Sequence, residues 1–189
     1  MKKGLIISII ISLACIIIDL VSKLIVMNTM YEGELITVIP YILKFRFVYN
    51  TGAAFSSMSN STWLLCIISL VASIAIGYFI YKYHDYKNRK LLSISLCMIF
   101  GGTFGNLIDR FLTSIGKRDG VVDFIELYIG NFNLVFGSTF NIADSFLVVG
   151  VVLLLIDMII LDNIRNKKKE LTTEETKEDN DNKEVSVNE

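Results

Sequence analysis

The sequence predicts a membrane protein with an all-α core. This core is a four-transmembrane-helix bundle that carries a small extracytoplasmic β-sheet, a cradle on the outer membrane surface. Three observations predict it. The 189 residues are 53% hydrophobic with a mean hydropathy of +0.56, an average that soluble domains seldom reach. Four apolar runs come near the length of about 20 residues that a helix needs to cross a bilayer. The two longest connections between them alternate β-branched and aromatic residues, which is a strand pattern.

The first span is expected over 4–27, interrupted by Asp19 and Lys23. Lys2 and Lys3 precede it, and Ser12-Leu13-Ala14-Cys15 has a faint likeness to a cleavage box. Ile16-Ile17-Ile18 carry the apolar run past the cysteine, too far for a signal-peptide core, so the span is expected to stay uncleaved. In connection 28–61, residues 35–49 read as strand, with the single proline, Pro40, at a bend or strand start. Spans two, three and four are expected over 62–81, 91–108 and 141–161. Small residues at four-residue spacing, Ser69, Ser73 and Gly77 in one and Gly101 and Gly105 in the next, permit close helix approach. In connection 109–140, residues 121–136 read as short strands with a turn at Gly130-Asn131. Residues 1–165 form one compact membrane domain, and 166–189 are a charged cytoplasmic tail too polar to fold alone.

Orientation follows from the placement of Lys and Arg near the span ends. Lys2 and Lys3, the short loop with Lys82, Lys87, Arg89 and Lys90, and the segment with Arg165, Lys167, Lys168 and Lys169 must share one side. That side reads as the cytoplasm, so both termini are cytoplasmic and the long connections face outward. The net charge of −1 argues for no particular partner, and no nucleic-acid partner is expected. Cys15, Cys66 and Cys97 each lie in an apolar run without metal-ligand spacing, and His84 is the single histidine, so thiol, triad and zinc chemistry lack residues.

The polar residues in and beside the spans are costly to place there and so point to function. Asp19 and Lys23 are four apart, on one helix face in the favourable order for an ion pair. Asn50-Thr51-Gly52-Ala53-Ala54-Phe55 follows the expected strand as a tight turn with room for something to pass. Gly102, Asn106 and Arg110 share a stripe on span three, where the amide and guanidinium offer directed hydrogen bonds. No G-K-[ST] follows the glycines, which excludes a phosphate loop. Asp123 is surrounded by apolar residues, and Asp144 stands in the first turn of span four with Asn141 three residues earlier as cap or partner. Two carboxyls close together in a poorly solvated place do not both ionise, and the pair can activate water against an amide. A rival reading is a small transporter or channel with an ion path through Asp19, Lys23 and Asp144; another is an inert assembly protein.

With these motifs in hand, the sequence resembles the bacterial lipoprotein signal peptidases, also called type II or prolipoprotein signal peptidases. The resemblance covers roughly 4–162: Asp19–Lys23, Asn50–Phe55, Gly101–Arg110, the V-V-D-F-I around Asp123 and the F-N-I-A-D-S around Asp144. It implies a membrane-embedded aspartic endopeptidase at the extracytoplasmic face of the bacterial cytoplasmic membrane. Its substrates would be diacylglyceryl-prolipoproteins, cut on the amino side of the lipidated cysteine. It implies Asp123 and Asp144 as catalytic dyad, no metal or other cofactor, a monomer among membrane lipid, and inhibition by globomycin-type compounds. Asp19, Lys23, Asn50, Gly52, Gly102, Asn106, Arg110, Asn141 and Ala143 match positions that line or brace the family's site. Ser22 stands where many members carry Thr, and the interval between the two acids is slightly long for the family.

Overall fold

In a computed structural model the described residues are 2–52, 62–134 and 138–167. The element order is α1 (Lys2–Thr29), β1 (Leu35–Ile39), β2 (Leu43–Asn50), α2 (Thr62–Tyr83), α3 (Lys90–Ser114), β3 (Val121–Ile129), β4 (Phe132–Asn133) and α4 (Ile142–Ile156). After Ile156 the last helix passes through a π-type turn, Asp157–Leu161, and continues to Lys167. All four helices are long and apolar enough to cross a membrane. Residues 168–189 of the expected tail, and Ala53, Ala54 and Phe55, lie outside the described residues.

The burial pattern is that of a chain solvated by lipid. Ile10, Ile17, Val71, Ile74, Val148 and Ile159 stand exposed on the outer faces of α1, α2 and α4, while Ser8, Asp19, Lys23, Asn106 and Asp109 are buried. In water this distribution would be unfavourable on both counts. In a bilayer the exposed apolar faces cost nothing, and the polar groups satisfy one another inside. Central α3 packs against α1, α2 and α4. Its glycines allow this: a Cβ on Gly101 would lie 2.4 Å from Cys15 Cβ, and one on Gly102 would lie 2.3 Å from the Ala143 carbonyl oxygen.

All four helices run past their expected ends. Hydropathy stops at Ile108, yet α3 continues to Ser114. The reason is tertiary: Asp109 and Arg110 both find partners in other elements, so their charges do not end the helix. The four strands form one antiparallel sheet in the order β1-β2-β3-β4. Pro40 sits in the β1–β2 turn, and Gly130-Asn131 form the β3–β4 turn. Val48 pairs with Asp123 and Lys44 with Glu126, with an irregularity in register between Phe45 and Val48. Val26 and Met30 at the end of α1 pack with Phe47, Val122, Phe124 and Ile125, which seats the sheet on the helices.

Candidate active site

The end of α1, the last turns of α3, the start of α4 and strands β2 and β3 converge on one polar cluster. Its organising residue is Asn141, the N-cap of α4. The backbone there is extended, and the Asn141 side-chain oxygen accepts from the Asp144 amide at 3.0 Å. In return the Asp144 carboxylate accepts from the Asn141 amide at 3.2 Å, completing a capping box. The same interaction that starts the helix therefore orients Asp144. The Asn141 side-chain amide donates to Asp123 Oδ1 at 2.7 Å and to Asn106 Oδ1 at 3.0 Å, which uses both its hydrogens.

Each oxygen of the two carboxyls has a donor. Asp123 Oδ2 accepts from Asn50 Nδ2 at 2.8 Å, and Asp144 Oδ1 accepts from Asn106 Nδ2 at 2.8 Å. Asn50 is held by Gly52, whose amide donates to the Asn50 side-chain oxygen at 2.9 Å. Gly52 has φ +86°, a conformation that side-chain-bearing residues rarely adopt, so a glycine is needed to close this turn. Burial, aided by the Asp144 charge and opposed by the hydrogen bonds from Asn50 and Asn141 and by the distant Lys23 charge, holds the Asp123 carboxyl up at about 7.

Behind the pair lies a buried ion network. Lys23 Nζ donates to Asp19 Oδ2 at 2.7 Å, Asp109 Oδ2 at 2.9 Å and Asn106 Oδ1 at 3.1 Å, which saturates its three hydrogens. The other oxygen of Asp19 accepts from the Ala143 amide at 2.9 Å, and the other oxygen of Asp109 accepts from Arg118. Two carboxylates and two cations balance, with Asp19, Lys23 and Asp109 buried and Arg118 at the edge. Asp19 and Lys23 thus reach the two acids only through Ala143 and Asn106.

Gly102 stands behind Ala143, where its missing side chain lets α4 approach. Arg110 donates to Ser69 Oγ of α2 at 2.6 Å and touches neither acid. It lines, with Asn50, Gly52, Asn106, Asp123 and Asp144, a cleft of about 70 Å³. The structure brings Asp123, Asp144, Asn50, Asn106 and Asn141 into direct contact, with Asp19, Lys23, Gly102 and Ala143 one layer behind. Sequence reasoning gave no role to Asp109 and Arg118, which complete the ion network. The available signal was an acid three residues beyond Asn106 on the same helix, needing a cation. Among the described residues no three His, Cys, Asp or Glu are grouped to hold a metal ion.

Comparison with known proteins adds an independent line. Residues 11–160 match the family described as signal peptidase (SPase) II. The chain is 38% identical over 160 residues to the lipoprotein signal peptidase of Bacillus subtilis (strain 168), spanning 85% of this chain and 97% of that protein. It superposes with a TM-score of 0.70 on a bacterial membrane enzyme solved by the in meso method at 1.9 Å, at 35% identity and covering 81% and 92% of the two chains. A second such structure, at 2.3 Å, gives 0.69 at 36% identity, covering 85% and 90%.

Proposed function

Because the chain belongs to the signal peptidase II family, we propose that Asp123 and Asp144 are the catalytic dyad with which it removes signal peptides from prolipoproteins. It is a membrane protein and an aspartic peptidase, as the family is. The observation that carries the assignment of the dyad is Asn141, whose side-chain amide donates to the Asp123 carboxyl and whose backbone amide donates to the Asp144 carboxylate. Two carboxyls gathered on one residue in a poorly solvated place do not both ionise easily, and they supply an acid and a base together. We assign the proton to Asp123, which burial holds protonated to about pH 7. Asp144, at a helix N-terminus that favours negative charge, is the base. The cleft of about 70 Å³ has room for one or two waters at ~30 Å³ each. Asp144 takes a proton from such a water as it attacks the carbonyl, and Asp123 protonates the carbonyl oxygen. Asp144 then gives its proton to the amide nitrogen as the C–N bond breaks, and Asp123 takes a proton back from the diol hydroxyl, which leaves a carboxylic acid, an amine and the starting state of the pair.

The finer reading follows the same line. Residues 1–165 act as one membrane unit, a monomer, with both termini cytoplasmic and the sheet and dyad at the extracytoplasmic face. The substrate enters sideways from the bilayer and is cut before its diacylglyceryl cysteine, and a globomycin-type inhibitor competes for the same cleft. Support comes from the positive charge gathered at the ends away from the sheet. The ion-path reading loses its basis, since all three hydrogens of Lys23 are engaged.

The test uses purified protein and a lipidated prolipoprotein precursor. Asp123→Asn and Asp144→Asn should each lower cleavage by roughly a hundred- to ten-thousandfold, the range of general acid–base catalysis, while the protein remains folded. Near-normal cleavage by either variant would show the dyad to be misassigned.

A further inference from the structure

Strand β3 continues past Asp123 into a second polar cluster that the dyad does not use. Glu126 is 2% exposed, and its carboxylate accepts from Arg46 Nε at 2.8 Å, Tyr128 Oη at 2.7 Å and Thr139 Oγ1 at 3.5 Å. Arg46 is 40% exposed on its side chain and spends Nε on Glu126. Its two Nη groups have no protein partner among the described residues.

These side chains line an open groove of about 620 Å³ that shares Asn50, Thr51 and Asp123 with the cleft of the dyad. Asp123 therefore stands where the two meet. Tyr128 leads on into a further hollow of about 240 Å³ edged by Lys44, whose ammonium lies 4.3 Å over the Tyr128 ring. Lys44 is opposite Glu126, three residues along β3 from Asp123, and Arg46 lies between Lys44 and Val48 at the irregularity in register. At ~3.3 Å per residue Lys44 is about 10 Å from Asp123 along the sheet, and Arg46 is nearer. An extended peptide with its cut bond at Asp123 would bring its second residue beyond the cut, the first after the cysteine, to Arg46 and its third to Lys44. Two cations against the one carboxylate of Glu126 leave this stretch net positive.

We propose that this groove receives the first residues of the mature lipoprotein, those following the cysteine, and that Arg46 is a specificity-determining residue favouring an acidic side chain at the first of them. The proposal rests on Asp123 and Asp144 being the dyad. The signal peptide is apolar and belongs among the helices, whereas the mature chain is polar and leaves toward water, so the polar groove suits the second and not the first. Arg46 has two N–H faces left to meet a carboxylate or a backbone carbonyl.

The experiment uses full-length protein in bicelles and lipidated precursor peptides differing only at the first residue after the cysteine: Asp, Ser or Lys. For the unaltered protein kcat/KM should be about three- to tenfold higher for Asp than for Lys, the scale of a partly exposed ion pair. The ratio should shrink at high salt. Arg46→Gln should bring the ratio near one, and Arg46→Glu should invert it. Equal kcat/KM for the Asp and Lys peptides with the unaltered protein would overturn the proposal, as would an unchanged ratio in Arg46→Gln. Asp123→Asn separates the two readings. If it is inactive while selectivity is flat, the groove assignment alone falls; if it stays active, the dyad falls first.

Discussion

Asp123 is a carboxyl placed where its charge is poorly solvated, and its pH behaviour follows. Its ordinary pKa is ~3.9, and in the folded protein it is about 7. A carboxyl raised by folding contributes stability at acid pH that is lost as pH climbs from about 4 to about 7. For catalysis the working form carries one proton on the pair, so kcat/KM should fall on the alkaline side with an apparent pKa near 7. The hydrogen bond from Asn50 favours the ionised form. Asn50→Ala should therefore move the alkaline limb to higher pH, in a profile normalised to each variant's own maximum. An unmoved limb would mean that Asn50 does not act on Asp123. Both acids and Asn141 were legible as residues in apolar surroundings at a helix start. That Asn141 binds both was not, because no local pattern brings β3 to the first turn of α4.

At the scale of elements, the site depends on how near α3 and α4 lie. Gly102 is packed on the Ala143 carbonyl, and its neighbour Leu147 leaves no space either. Gly102→Ala should cost about 1–3 kcal/mol of stability by overpacking, read from thermal unfolding in detergent. Because Ala143 and Asp144 are adjacent on α4, the same change should lower kcat more than substrate affinity. A variant with full activity and lowered melting temperature would separate packing from catalysis. The four helices and the strands were legible from apolar runs and alternation. The lengths of the helices were less so, since hydropathy treats Asp109 and Arg110 as the end of an apolar run. Their tertiary partners keep them inside α3.

Across the whole molecule, Lys23 is the tie between α1, α3 and, through Asp19 and Ala143, α4. At 1% exposure it balances two buried carboxylates. Lys23→Met keeps the length of the side chain and removes the charge. It should destabilise by about 3–5 kcal/mol, the cost of stranding a buried ion. The double variant Lys23→Met with Asp109→Asn should recover part of that loss, a non-additivity expected only of direct partners. Additive losses would place the two residues in separate roles.

What the sequence determined alone is what depends on near neighbours along the chain: four helices from apolar run length, strands from alternation, the Asp19–Lys23 pair from i,i+4 spacing, and the cap at Asn141. Resemblance in ordered motifs then placed it in its family. Tertiary structure alone decided that Asn141 joins the two acids, that Asp109 and Arg118 complete the charge balance, and that a polar groove leads away from Asp123 past Arg46. Apart from the cap between Asn141 and Asp144, those contacts join residues from 9 to 80 positions apart. Only the packing of helices against one another and of the sheet on their ends closes such distances.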